Sequence, residues 1–295
     1  ACTVTLAPNT LSNVWVVQNS AGDTVTLTAG TGSNVVIPNG GIRMVATDGA
    51  GSGAAVTDVL DVLGGTGNVG LGSGAFGTGL TTGTDNVAIG ENAGDALTSG
   101  SDNTFVGDEA GGATTTGSNN VAIGSAAFDA NTTGASNTSV GKGSLSANST
   151  GDSNTAVGKG ALNDNTTASN NTAVGSDALA VNTTGAGSTA VGMRALTAQT
   201  DGDDNVALGK DAGYAVTTGH RNTFAGTAAA QNITTGDDNV ALGRAALFTA
   251  TTVSDLVAVG KNALYANTTG TSNTALGYES QAATTTGANN TSVGY

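Results

Sequence analysis

The chain has little of what an ordinary globular core is built from. Its 295 residues include one cysteine, two prolines and one histidine, with 3% aromatic and 10% charged residues, against roughly 25% charged residues in typical domains. A lone cysteine, Cys2, excludes an intrachain disulfide and a thiolate-built metal site, and reads as an exposed or crosslinking thiol. A lone histidine means that any Ser-His-Asp triad would have to use His220, which sits beside Arg221 and reads as a solvated turn residue. Eight basic residues against 22 acidic ones, a net charge of −14, exclude the basic surface that nucleic acid requires. No apolar run approaches the ~18 residues of a membrane-spanning helix. Neither nucleic acid nor membrane insertion is expected.

Glycine is abundant, at 47 residues, together with Ser, Thr and Asn. That composition suits a disordered chain, except that Val, Ile, Leu and Ala recur on a strict schedule, and a thin core repeated many times accounts for them better. The schedule is set by glycines that follow an aliphatic residue: Gly90, Gly107, Gly124, Gly141, Gly158, Gly175, Gly192, Gly209, Gly226, Gly243, Gly260, Gly277 and Gly294, spaced by 17 throughout. With each of these glycines as position 0, position −4 is Asn except at Ser188 and Leu256, and position −3 is always Thr or Val. Position −2 is Ala or Ser except at Phe105 and Phe224, and position −1 is aliphatic. Position +3 is Ala or Ser, +4 is often Leu, +8 is Thr or Ser, and +10 is usually Gly. The unit reads NTAVGxxALxxNTTGxx.

A period this short cannot hold two helices, and Thr and Val ahead of each Gly favour extended backbone. The expected fold is therefore all-β: a parallel β-solenoid of 17-residue coils, with every coil hydrogen-bonded to the next. At ~4.8 Å per coil, twelve intervals give a rod of ~58 Å. Side-chain alternation places positions −1 and −3 on one face and −2 and −4 on the other. The aliphatic face is expected to fill the coil, the Ala face to meet another chain, and the Asn side chains to stack as a ladder of amides. The repeated Gly is assigned to a turn with positive φ or a close backbone approach, and TTG to a second strand end and turn. Phe105 and Phe224 read as packing residues, with a plug at an oligomer axis or a surface contact as the alternatives.

Residues 1–63 lack the period. Apolar and polar residues alternate in Asn13–Gln18, Asp23–Ala29, Asn34–Pro38 and Ile42–Thr47, which reads as a small antiparallel β module anchored by Trp15. Residues 64–80 are a Gly-rich transition in which Asn68-Val69-Gly70-Leu71-Gly72 looks like a degenerate coil one residue out of phase, and 81–295 form the solenoid.

The NTAVG and NTTG elements, over Asp85 to Tyr295, are similar to the head repeats of trimeric autotransporter adhesins, which implies a left-handed β-roll and a homotrimer. The longer pattern NTAVGxxAL…NTTG resembles bacteriophage tail fibres. So do the N-terminal stretches Val14–Asn19, Asp23–Leu27, Val36–Gly40 and Thr47–Gly49. That resemblance implies a structural, host-attachment role in the virion, with other tail proteins and a host receptor, such as a glycan, as partners. It also implies a self-cleaving chaperone after Tyr295. A bacterial surface adhesin is the alternative context.

Other candidate sites are weaker. Asp201-Gly202-Asp203-Asp204 and Asp237-Asp238 lack the spaced ligands of a calcium loop and read as charge that keeps fibres apart. The glycine string from Gly70 to Gly79 has no Lys where a phosphate loop needs one. Sequons such as Asn131-Thr132-Thr133 and Asn182-Thr183-Thr184 arise from the repeat itself. Thr-Thr at +8 and +9 points neighbours to opposite faces, unlike the single flat Thr array of an ice-binding solenoid. Acidic residues in phase are too scarce for a glycan-cleaving groove. The expectation is a fibre protein without catalysis, cofactor or metal.

Overall fold

A computed structural model describes residues 82–295 without a break and, before them, residues 2–6, 14–20, 22–28, 34–37, 42–47, 56–63, 67–77 and 80. The described residues carry strands and turns and no helix. A first sheet joins β1 (Cys2–Thr5), β3 (Val25–Thr28) and β4 (Val35–Ile37), antiparallel between β3 and β4 but parallel between β1 and β3. A second run pairs β2 (Val14–Gln18) with β5 (Ile42–Thr47), and β5 with β6 (Val56–Leu63), all antiparallel. Four of these strands coincide with the stretches that alternate in sequence. The parallel pairing of β1 and the strand β6 went unforeseen. Trp15 is only half-buried; the small core there is Leu27, Val35, Ile37 and Val45, with Trp15 packed against its side.

β6 pairs antiparallel with β7 (Asn68–Leu71), and from β7 onward the ladder turns parallel. The N-terminal strands thus cover an edge that the first coil would otherwise present unpaired. Thirteen further three-residue strands follow, β8 (Val87–Ile89) to β20 (Thr291–Val293), each in register with the one a coil earlier. The apparent phase slip at β7 has a simple cause. Val69 pairs with Val87 across an 18-residue coil, so one extra residue is taken up in the turn while the register is kept.

Each coil has one strand, not two. The remainder, TTG included, is a chain of turns whose residues at −5, +2 and +4 adopt left-handed φ, as in Asn170 (63°), Asp177 (55°) and Leu179 (50°). Asn and Asp tolerate this region at little cost, but Leu does not, and its ~1–2 kcal/mol of strain is offset by burial. Leu145, Leu162, Leu179, Leu196, Leu247 and Leu264 are all fully buried. The position-0 glycines have φ near 130–140°, a region closed to other residues.

The strand faces are inverted relative to expectation. Positions −2 and −4 share a face, as alternation requires, but it is the Ala and Asn face that lines the interior: Ala156, Ala173, Ala190, Asn154 and Asn171 are completely buried. The aliphatic face points out. Two constraints produce this. Ala at −2 is enclosed with the equally buried Ala at +3 and the residue at +4, so a larger side chain enters there where +4 gives up its volume, as Gly111 does for Phe105. The turns also leave carbonyls inside that need donors. Asn supplies them: the Asn154 amide donates to the Ala168 carbonyl (2.8 Å), and Asn171 does so to that of Gly185 (2.8 Å), bridging strand and TTG turn across the coil. Each Asn Oδ1 in turn accepts from the backbone N–H of the next coil's −4 residue, as from Asn154 to Asn137 (2.9 Å). The amide ladder is present, but inside.

A second interior ladder runs through position +7, from Asn131 to Asn148, Asn165, Asn182 and Gln199. The two ladders compensate for each other. Where Ser188 replaces Asn in the first, Gln199 reaches over, bonding Ser188 (3.1 Å) and accepting from Asn205 (3.0 Å). Where Leu256 interrupts it, Ala250 and Val253 make the same level apolar. Among the described residues two buried amide oxygens have no partner, Gln281 Oε1 and Asn267 Oδ1, the latter because Thr284 stands where the next amide would donate. Thr284→Asn is therefore expected to raise stability by about 1 kcal/mol, read as a higher denaturation midpoint. An unchanged or lower midpoint would show that the ladder does not extend there.

Phe105 and Phe224 are core residues, each fully buried at the Ala position. Glycine at +4 makes room for them: a Cβ on Gly94 or Gly111 would lie 2.8 or 2.6 Å from the Phe105 ring, and one on Gly213 2.8 Å from the ring of Phe224. The repeat exchanges volume between −2 and +4.

Candidate interaction surface

The outward strand face is a pair of parallel columns running the length of the rod. One column is position −3, Thr or Val; the other is position −1, Val, Ile or Leu except at Ala225. Ile89, Ile123, Val157, Val191 and Leu208 leave 37–43% of their surface to water. These residues were expected inside. Stacked at ~4.8 Å, the columns make an apolar strip, and such strips on soluble proteins mark sites of association.

The strip has two different edges. On the side the strand runs towards, position +1 carries Lys142, Lys159, Lys210, Arg244 and Lys261, five of the eight basic residues of the chain. On the side it comes from, positions −5 and −6 carry Asp85, Asp102, Asp152, Asp203, Asp204, Asp237, Asp238 and Asp255. Two of the sequence-level acidic clusters thus belong to one edge. Their carboxylates are engaged: Asp203 Oδ1 accepts from the Ala186 N–H (2.7 Å), Asp237 Oδ1 from the His220 N–H (2.7 Å), and Asp238 holds Arg221 in two bonds of 2.8 and 2.9 Å. The Arg221 hydrogen bond holds the pKa of the Asp238 carboxyl below the usual carboxylate range, and the same bond raises the pKa of the Arg221 guanidinium. Among the described residues no three metal-ligating side chains converge.

His220 also lies on this edge, and its Nδ1 accepts from the Asp203 N–H (2.9 Å). That bond makes it one rung of a side-chain-to-backbone ladder. The Thr hydroxyls at +8 are committed in the same way: Thr115 donates to the Thr132 carbonyl (2.9 Å), Thr183 to that of Thr200 (3.0 Å) and Thr234 to that of Thr251 (3.0 Å). Aromatic residues cluster on outer corners towards the C-terminal end. Phe248 stacks on Tyr265 (centroids 5.2 Å) and Lys261 sits over Tyr278 (5.0 Å). Burial raises the Asp129 carboxyl above its ordinary value. It lines an open notch with Asp95 and Glu109.

Comparison of the chain with protein-family models, curated proteins and solved structures gives no match. Function has to be argued from the surface itself. The position-0 glycines, singled out in sequence, are structural: they seat one coil on the next. What sequence reasoning placed wrongly is which strand face meets water, and the signal for it was Asn at −4, a residue whose amide serves buried turn carbonyls.

Proposed function

We propose that the chain is a structural segment of an extracellular fibre, and specifically of a bacteriophage tail fibre, in which three copies associate along their strand faces. The observation that carries this reading is the water-facing column of Val, Ile and Leu at −1, which runs the length of the rod with a gap at Ala225. A rod of ~58 Å with its polar amides inside and its aliphatics outside gains from covering that strip with more of the same chain. Cyclic symmetry closes the arrangement, and three rods turned inward leave no strip exposed. The NTAVGxxAL…NTTG resemblance supports the phage context over other fibres. In that context the partners are other tail proteins and a host receptor, such as a surface glycan, and the rod supplies length and stiffness rather than chemistry.

Sedimentation equilibrium of the whole chain tests the association. A trimer mass is expected, and Val157→Lys/Val191→Lys should give monomers with an unchanged far-UV circular dichroism spectrum, because both side chains point to water in the single chain. A native chain that sediments as a monomer would refute the proposal. Immunogold labelling of tails with antibodies to the repeat tests the virion assignment.

A further inference from the structure

The two edges of the strip differ in charge in a way that single-chain stability does not require. From the coil of Gly124 to the coil of Gly294, position +1 carries five positive charges, Lys142, Lys159, Lys210, Arg244 and Lys261, and no negative one. Over the same coils positions −5 and −6 carry six aspartates, Asp152, Asp203, Asp204, Asp237, Asp238 and Asp255, with Arg221 the one fixed positive charge. Position +2, beside the basic column, carries Arg194 with Asp177, Asp211 and Glu279, so the balance is +3 on that edge against −5 on the other. Among the described residues no carboxylate lies within ion-pairing reach of Lys142, Lys159 or Arg244, whereas Lys210 meets Asp211 at 3.5 Å.

We infer that copies of this chain pack parallel, with the basic +1 edge of one against the acidic −5/−6 edge of the next. The inference rests on the association proposed above and adds its direction and its contacts. Seen from a common axis, every inward-facing strip has its acidic edge on the same hand. In a parallel ring, therefore, each basic edge adjoins a neighbour's acidic edge, a heterologous contact that closes on itself. In an antiparallel face-to-face pair, acidic edge meets acidic edge and basic meets basic. Like charges at such spacing repel within the ~8–10 Å over which salt leaves them unscreened. Apolar columns alone do not distinguish the two arrangements; the edges do, and complementary charge of this kind sets orientation more than affinity. The coils of Gly90 and Gly107 carry acid on both edges, Asp85 and Asp102 against Glu91 and Asp108. The coil of Gly124 is uncharged at these positions, so charge pairing begins with Lys142 in the fourth coil.

Cysteine crosslinking at one level decides between the arrangements. In a Cys2→Ser background, Asn170→Cys places a thiol at −5 and Ser176→Cys places one at +1 of the same coil, without altering any charge. Within one chain these positions flank the strand Thr172–Val174 on opposite sides, with roughly 13 Å of extended backbone between residues 171 and 175, beyond the ~7 Å Cα span of a disulfide. Mild oxidation of the double variant should give a covalent trimer on a denaturing gel, and each single variant should stay monomeric. Disulfide dimers from either single variant would show like edges meeting and overturn the inference while leaving self-association intact. No crosslink in a double variant that sediments as a trimer would overturn it equally. A monomeric native chain would remove the association itself. As a second readout, Lys142→Glu/Lys159→Glu should weaken association about tenfold at low salt, and adding Asp152→Lys should restore part of it. An unchanged association constant for the double reversal would contradict the edge pairing.

Discussion

Gly175→Ala is expected to cost about 4 kcal/mol or more and to split the rod into two separately unfolding halves. Two costs combine at this position. The φ of 134° lies where any Cβ is strained, which is worth about 1–3 kcal/mol. The added Cβ would also stand 2.7 Å from the carbonyl carbon and oxygen of Gly192, backbone atoms fixed by the next coil's own hydrogen bonds. Because each coil touches only its neighbours, the damage should stay local in structure yet uncouple what lies on either side. Native-state amide hydrogen exchange reads this directly: the coils of Gly175 and Gly192 should lose protection while those near Gly107 and Gly260 keep theirs. An alanine variant with unaltered protection would mean that the coils do not stack as closely as described.

Phe105→Ala should destabilise by about 3–5 kcal/mol, the range for a large buried ring replaced by a methyl group. The rescue is the more informative half. In five coils Ala at −2 accompanies Leu at +4, as with Ala156 and Leu162 or Ala173 and Leu179, all fully buried. Gly111 already has the left-handed φ (62°) that those leucines adopt. Gly111→Leu alone should overpack against the Phe105 ring and destabilise. Phe105→Ala/Gly111→Leu should recover most of the loss, with a coupling energy beyond additivity. Denaturant titration of the four proteins tests this. Additive losses would show that −2 and +4 do not share one space.

The period made much of the fold legible: coil length, strand position, the role of each position-0 glycine and the existence of an Asn ladder all follow from residues recurring every 17. The pairing of faces was legible too, since alternation in a strand is geometric. Which face lies inside was not, because hydropathy favours burying Val over Asn. It takes the coil's narrow bore and the unpaired turn carbonyls at Gly185 or Ala168 to reverse that preference. The same blindness hid the Gln199 repair of Ser188, two residues 11 apart in sequence that meet only across the coil. Trp15 misled for a related reason: size suggested a core anchor, whereas Leu27, Ile37 and Val45 form the small core and Trp15 leans on it. The candidate surface was therefore found by sequence in kind, as one strand face open to a partner, and corrected by structure in identity.

Hydroxyl-radical footprinting of the assembled chain tests that identity most directly. Val157, Val191 and Leu208 are exposed in the single chain, at 37–43%, and Val36, at 54%, belongs to the N-terminal sheet and not to the strip. Strong labelling of Val36 with protection of Val157, Val191 and Leu208 is the result expected if the aliphatic columns face partner copies. Equal labelling of all four would contradict it.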